Sequence, residues 1–418
     1  MRTGATWKWG SATALLLCVC LSGCAGTGND NTTIPASAQV DNYVGTSSSF
    51  DSLLAGVWGM RVDHSTNYFK LNDTGYDGAS PINFIGTLST AGPFELFNST
   101  YTNYPVSYLT SFYALEVPGD VAILGSAQVG VAPAPTVFAE SNSCQAVASA
   151  TTYQLIQLGP GIPGITESYG TITVNRGQSD WTFSNFDLLQ VDGMDNKPAA
   201  LSNGACAQAT EGFVTTIPVT VAGQPITYTV AISPNGYFIM DRDEIAVPSQ
   251  NLKTPLGPLV GVAQPSSPLN TSSLMAANYA GFEYDGAGAS PQVSGFDSTT
   301  QPISFSGSNA TQTQMVGGTF PKGDPTQMPS ADISVNLGTQ DPKNNGLYPA
   351  AAVTFPDPTS ECASTPNGGT DASGNPICTL QAVAVAGDPN GKFVLYLTVL
   401  NPFGRNAPST IQFLLYQQ

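Results

Sequence analysis

The chain contains a single histidine, His64, so a Ser-His-Asp triad would have to be built on it. His64 lies in Asp63-His64-Ser65, within a predicted hairpin. No GxSxG motif accompanies it, since in the nearest candidate, residues 177–181, Trp181 stands where the second glycine should be. We therefore expect His64 to be exposed or hydrogen-bonded, with no nucleophile beside it.

Paired carboxylates are a second route to catalysis, because a glycosidase needs two acids roughly 5 to 10 Å apart. Asp241, Asp243 and Glu244 are the candidates, with Arg242 between them. They follow a predicted strand directly, at a place where charged residues usually mark its exit into solvent. Besides this interpretation as the solvent-exposed end of a strand, two alternatives stay open: a catalytic pair of carboxylates and a weak cation site.

Two acidic loops, residues 72–78 and 192–196, carry oxygen ligands at short spacing that calcium could use. Neither follows the EF-hand pattern, and Asp or Asn beside Gly is typical of turns. We predict no metal site and no cofactor from the sequence. Calcium binding by these loops stays an open alternative.

Cys24 is the residue with the most specific chemical signal. An apolar run over residues 12–21 follows Arg2 and Lys8, and no acidic residue precedes Asp30, which is typical of an export signal. The run holds about ten apolar residues, where a bilayer-spanning helix needs about 20. The sequence therefore favours a signal segment that is cleaved off.

The end of this segment, Leu21-Ser22-Gly23-Cys24, resembles the lipobox of bacterial lipoproteins. The resemblance implies that residues 1–23 are removed and that Cys24 carries a diacylglycerol and a further acyl chain such as palmitate. Two or more chains give a firm membrane anchor. Ala25 and Gly26 after the cysteine imply sorting to the outer membrane. The alternative is an ordinary signal peptide with a chance cysteine.

Four cysteines remain after the signal segment and Cys24 are set aside: Cys144, Cys206, Cys362 and Cys378. An even number in an exported protein predicts two disulfides, with three possible pairings. A polar, glycine-containing loop between Cys362 and Cys378 favours a local bridge, which leaves Cys144 with Cys206. A zinc site is the competing interpretation, but the chain lacks a CxxC pair and His64 is distant in sequence.

The charge balance excludes classes of partner. Loss of residues 1–23 removes two of 12 basic residues and none of 29 acidic ones, so 10 basic and 29 acidic residues leave a formal charge of −19. Such a chain repels nucleic acid and anionic lipid surfaces. We therefore predict no nucleic-acid partner, and membrane contact only through the lipid on Cys24.

Five segments follow from composition. They are a signal peptide (1–23), a flexible tether (24–49), a first β-domain (50–246), a proline-rich linker (247–272) and a second β-domain (273–418). Three short matches occur in the same order along the chain, which favours a duplicated domain. They pair 52–59 with 273–280, 76–81 with 284–291, and 234–239 with 389–394.

Alternating apolar and polar residues predict strands throughout, for example over 219–221, 226–230, 333–337, 396–400 and 410–416. No window of twelve or more residues shows a helical stripe with caps. The predicted fold is all-β, with two tandem antiparallel β-barrel-like or β-sandwich domains.

The body resembles glycine-rich, repetitive β-domains of bacterial envelope proteins with no assigned activity. Together with the lipobox, this resemblance implies a lipid-anchored envelope protein with a non-enzymatic binding or structural role, whose ligand or protein partner the sequence does not specify. The alternative is a secreted hydrolase that acts on polysaccharide through paired carboxylates.

Overall fold

The computed structural model of the protein describes most of the chain beyond residue 39. The described residues are 40–46, 57–73, 83–102, 111–126, 135–144, 146–147, 149–158, 168–177, 180–191, 200–209, 211–221, 224–247, 252–285, 300–307, 314–401 and 409–418. Most of them lie in antiparallel strands, which confirms the all-β prediction.

The first barrel is an up-and-down meander of eight strands, closed by the pairing of its first strand with its last. Its strands are β1 (Val40–Thr46), β2 (Val57–Asp63), β3 (Tyr68–Asp73), β4 (Asn83–Ala91), β5 (Phe94–Thr102), β6 (Ser111–Val117), β7 (Val121–Ser126) and β8 (Thr136–Glu140). Closure leaves no unpaired edge strand.

The second barrel has the same arrangement, with β9 paired to β16. Its strands are β9 (Thr151–Gln157), β10 (Ser168–Arg176), β11 (Asp180–Gln190), β12 (Gly204–Ala209), β13 (Gly212–Val221), β14 (Gln224–Ile232), β15 (Tyr237–Val247) and β16 (Leu252–Ala263). The strands predicted over residues 219–221 and 226–230 are confirmed as parts of β13 and β14, which pair with each other.

The third sheet has nine strands, eight of which form a closed ring because β21 pairs with β23 and β17 pairs with β25. The ninth, β22, extends one edge of β23. Its strands are β17 (Tyr279–Asp285), β18 (Thr300–Gly307), β19 (Met315–Thr319), β20 (Ile333–Asn336), β21 (Leu347–Pro356), β22 (Gly368–Thr370), β23 (Pro376–Gly387), β24 (Val394–Asn401) and β25 (Ser409–Gln417). We call it the third barrel.

Within the described part of the chain one α-helix, α1 (Thr271–Ala276), precedes the third barrel. The side chain of Asn270 caps its N-terminus by accepting a hydrogen bond from the Ser273 N–H, and Leu274 and Met275 pack into the barrel core. Two short 3-10 helices, Pro321–Gly323 and Pro389–Gly391, lie in loops of the same barrel. Among the described residues no helix is both long and apolar enough to cross a bilayer.

Each barrel encloses its own apolar core, and a further core lies between the barrels. Alternation explains both, because successive side chains of a strand point to opposite faces. On β7, for example, Ala122 and Leu124 belong to the core of the first barrel. Val121 and Ile123 instead point outward. They pack in a cluster that also contains Tyr237 of the second barrel and apolar residues of the third barrel.

The sheets do not follow the predicted domain boundaries. Residues 50–246 contain parts of two barrels rather than one domain, and β1 lies within the predicted tether. The segment between the first two barrels, residues 141–150, has no Gly or Pro to mark a boundary. The tether prediction failed over residues 40–46 because β1 carries few apolar residues, yet it pairs on both sides, with β2 and β8.

The predicted proline-rich linker contains the last strand of the second barrel, β16 (Leu252–Ala263). Pro255 and Pro258 are tolerated because the register between β15 and β16 shifts on both sides of Arg242, so neither proline stands in a regular ladder pair. The buried Arg242 side chain donates to the Gly257 carbonyl oxygen at this irregularity. Prolines thus mark β-bulges here rather than a linker.

Both disulfides join the cysteine pairs that the sequence predicts. Cys144 bonds to Cys206 with Cα atoms 5.9 Å apart, which fastens the segment after the first barrel to β12 of the second. Cys362 bonds to Cys378 with Cα atoms 5.6 Å apart, and both sulfurs are buried in the third barrel.

Candidate functional site at the acidic mouth of the first barrel

Ionisable side chains gather at one end of the first barrel. Each lies two positions before or after a side chain of the barrel core, so alternation directs the four acids to the inner face, and His64 follows directly after the end of β2. We call this group the acidic mouth; its members are Asp41, His64, Glu95, Glu116 and Glu140. The core residues next to them are Tyr43, Val62, Phe97, Ala114 and Phe138.

His64 lies at the centre of the acidic mouth, in the turn after β2. Its Nε2 atom is 3.0 Å from Oε2 of Glu116 and 4.0 Å from Oδ2 of Asp41. Its Nδ1 atom is 3.8 Å from Oε1 of Glu95. Carboxylates therefore lie close to both ring nitrogens of His64.

Glu116 is the most deeply placed member, with its side chain 3% exposed. The Tyr43 hydroxyl donates a hydrogen bond of 2.6 Å to Oε1 of Glu116, which fixes the carboxylate. The other oxygen, Oε2, faces His64 and has no hydrogen-bond partner within the described parts of the chain. This oxygen is positioned to act as a ligand.

Burial and charge shift the pKa values of the acidic mouth. The contact with Glu116 raises the pKa of His64 to about 9, helped by the charges of Glu95 and Asp41 and opposed by burial. Burial, followed by the Glu116 charge, raises the pKa of Glu95 to about 7. Burial, followed by the Asp41 charge, raises the pKa of Glu140 to about 7.

The pKa values of the Asp41 carboxyl group and the Tyr43 hydroxyl group are raised for the same reasons. Burial, then the charge of Glu116, raises the pKa of Asp41. Burial, then the same charge, raises the pKa of Tyr43 well above its ordinary value. The cluster is therefore a partly desolvated set of acids around one imidazolium, and a divalent cation would relieve its negative charge.

The geometry favours cation binding over nucleophilic catalysis. Oxygen and nitrogen atoms of Asp41, His64 and Glu116 all lie within 4.8 Å of one another, which is close enough for one metal ion. The nearest serine in sequence, Ser65, directs its hydroxyl to Asp63 at 2.6 Å. The predicted hydrogen-bonded His64 is thus half-buried among acids, a setting that the sequence did not predict.

The carboxylates proposed for a hydrolase lie elsewhere. Asp241 is 5% exposed and belongs to β15, which runs on to Val247. The prediction that Asp241, Asp243 and Glu244 follow the end of a strand is therefore wrong, because all three lie within β15. The register between β15 and β16 shifts on either side of Arg242.

Several other predicted sites fall outside the described residues. Cys24 is one of them. The two acidic loops lie outside as well, apart from Asn72 and Asp73 at the end of β3. Calcium binding by these loops and acylation of Cys24 therefore stay predictions.

Four carboxylates of the acidic mouth escaped the sequence analysis, because they are spread over positions 41 to 140 and occur singly. A usable signal exists once strands are assigned. An acidic residue near the end of a strand points into the barrel when it lies two or four positions from the apolar residues of the inner face. Glu116 after Phe112 and Ala114, and Glu140 after Phe138, show this pattern.

Comparisons with known proteins give no family. No family model matches the chain, and no curated protein matches it. A crystal structure of a double mutant of transferrin-binding protein B from Haemophilus parasuis Hp5 is similar with a TM-score of 0.27 and 10% identity, covering 91% of this chain and 76% of that one. Isotype 1 transferrin-binding protein B from serogroup B Neisseria meningitidis gives a TM-score of 0.26 and 12% identity, with 87% and 66% covered. Similarities of this size carry no inference about what this chain does.

Proposed function

We propose that this chain is an exported bacterial lipoprotein, held in the cell envelope by acyl chains on Cys24, with a non-enzymatic binding or structural role. The observation that carries the proposal is the spacing Leu21-Ser22-Gly23-Cys24 directly after an apolar run of signal-peptide length. Residues 1–23 would be removed, and residues 25–39 would connect the lipid to the first strand.

The disulfides support export. Structural disulfides persist in oxidising compartments and are rare in the bacterial cytoplasm. Here one bond lies in the second barrel and its preceding segment, and the other is buried in the third barrel. An oxidising envelope compartment fits both bonds. Ala25 and Gly26 after the lipidated cysteine favour the outer membrane.

A binding or structural role fits the barrels better than hydrolysis. The interiors of the barrels are filled by their own apolar side chains. Asp241, which the hydrolase alternative requires, is buried within β15 rather than presented to a substrate. The surface of the body, or the acidic mouth, is where a ligand or partner would contact it.

Metabolic labelling tests the anchor. Cells expressing the chain receive radiolabelled palmitate, and the immunoprecipitated protein is examined for label. We expect label on the wild type and on the control variant Cys20→Ser, and none on Cys24→Ser. A labelled Cys24→Ser variant, or an unlabelled wild type, contradicts the proposal. Separation of the inner and outer membranes, followed by protease treatment of intact cells, then locates the body.

A further inference from the structure

We propose that the acidic mouth of the first barrel is a binding site for a divalent transition-metal ion of the Zn²⁺ class, with Asp41, His64 and Glu116 as ligands. This site is independent of the lipid anchor. It would give the protein a ligand that neither the lipobox nor the fold implies.

The donor set selects the class of cation. One imidazole nitrogen with two carboxylate oxygens suits Zn²⁺ and neighbouring first-row ions, and three protein ligands leave further positions for water or another ligand. Calcium and magnesium favour oxygen ligands throughout. The imidazole of His64 therefore argues for a transition metal.

The distances fit one ion. Two ligand atoms that each lie about 2.1 Å from a metal are about 3.0 to 4.2 Å apart, depending on whether they are adjacent or opposite. His64 Nε2 lies 3.0 Å from Glu116 Oε2 and 4.0 Å from Asp41 Oδ2. All three ligand atoms lie within 4.8 Å of one another, so the widest pair exceeds the 4.2 Å limit by at most about 0.6 Å.

The hydrogen bonding around the ligands provides a second, independent observation. Glu116 Oε2 and His64 Nε2 are both buried and form an ion pair at 3.0 Å, yet in the described chain neither atom has a partner in hydrogen-bond geometry. A buried carboxylate oxygen that lacks a well-aligned hydrogen-bond donor is costly, and a metal ion would satisfy it. Glu116 is also more than nine-tenths buried and aims this oxygen at His64.

At metal sites the second atom of a ligand is commonly held by another polar group, and Glu116 shows this arrangement. Glu95 lies 3.8 Å from Nδ1 of His64, on the far side of the ring from Asp41 and Glu116. Tyr43 holds the second oxygen of Glu116 at 2.6 Å. The hydrogen bond from Tyr43 therefore fixes Glu116, whereas the separation of Glu95 and His64 is an ion-pair contact, longer than a hydrogen bond.

Calorimetric titration with ZnCl2 tests the site, on the purified full chain without a polyhistidine tag, after treatment with EDTA and dialysis. We expect one equivalent of Zn²⁺ to bind. Asp41→Asn and Glu116→Gln should each weaken binding by roughly tenfold or more, and Tyr43→Phe, which keeps the ring, by about tenfold. The matched control is Asp388→Asn, an exposed carboxylate whose side chain caps nothing.

A second readout needs no variant, because His64 is the only histidine. With ¹⁵N-histidine labelling, the wild-type chain gives one set of imidazole signals, and one equivalent of Zn²⁺ should shift its Nε2 resonance while CaCl2 should not. Unmoved imidazole signals, or equal Zn²⁺ affinities of the wild type, Asp41→Asn and Glu116→Gln, overturn the proposal. Calcium binding as tight as zinc binding also overturns it, since His64 would then not be a ligand.

Discussion

The side-chain amide of Asn235 donates a hydrogen bond of 2.7 Å to Oδ1 of Asp120, although the two residues are 115 positions apart and belong to different barrels. Asn390, in the third barrel, donates to the other oxygen of the same carboxylate at 2.5 Å. Each of the three residues lies in the turn before the seventh strand of its barrel ring, namely β7, β15 and β24. One buried carboxylate thus joins equivalent turns of all three barrels.

Replacement of Asp120 by alanine should destabilise the protein by about 2 to 4 kcal/mol. Hydrogen bonds to a charged group contribute about 1.5 to 3 kcal/mol each, and water partly compensates the exposed donors Asn235 and Asn390 for the lost acceptor. Asp120 is 2% exposed, so water does not readily replace it. Urea denaturation followed by circular dichroism measures the change. The control Asp388→Asn should stay within about 0.5 kcal/mol of the wild type. An equal stability of Asp120→Ala and the control would show that the three turns are held by apolar packing alone.

A second buried carboxylate organises the disulfide loop of the third barrel. Asp357 is fully buried and accepts hydrogen bonds from the backbone N–H groups of Glu361 and Cys362, both at 2.9 Å. Asp357→Ala should therefore cost about 2 to 3 kcal/mol of folding free energy, since one buried and one partly buried backbone donor lose a charged acceptor.

Asp371 provides the matched comparison for Asp357. It also accepts two backbone N–H bonds, from Ser373 and Asn375, but in an exposed turn where water can substitute. Asp371→Ala should thus be less destabilising than Asp357→Ala in the same urea titration. The reverse order would contradict the account of the loop.

The two disulfides should differ in their rate of reduction in the native protein. Cys144 and Cys206 are half-buried, whereas Cys362 and Cys378 are fully buried. A reductant must reach a sulfur atom to attack it, so the bond between Cys144 and Cys206 should open first. Timed alkylation after mild reductant, followed by peptide mass spectrometry, reports the order. Simultaneous labelling of all four cysteines would mean that reduction proceeds through global unfolding.

Local patterns along the sequence predicted the strands well. Alternation over 219–221 and 226–230 predicted parts of β13 and β14, and residues 396–400 and 410–416 do pair as β24 and β25. The match between the two Pro-Asn-Gly turns is also structural, since Asn235 and Asn390 meet at Asp120. These features depend on neighbours in sequence, where alternation and turn chemistry act directly.

The number of barrels and the acidic mouth depend on distant parts of the chain. The repeat between 52–59 and 273–280 pairs the second strand of one barrel with the first strand of another, so it does not align equivalent strands. The prolines of β16 suggested a break in the strand. The bulges that tolerate them depend on the pairing with β15, which the local sequence does not reveal. His64 and Glu116 meet only through closure of the first barrel, which no local pattern reveals.

The most direct test of the proposed anchor is the mass of the N-terminal peptide of the protein isolated from a bacterium that expresses it. The account predicts a peptide that begins at Cys24 and carries the mass of a diacylglyceryl group, with or without an additional acyl chain. An unmodified Cys24 still joined to Gly23 would contradict it.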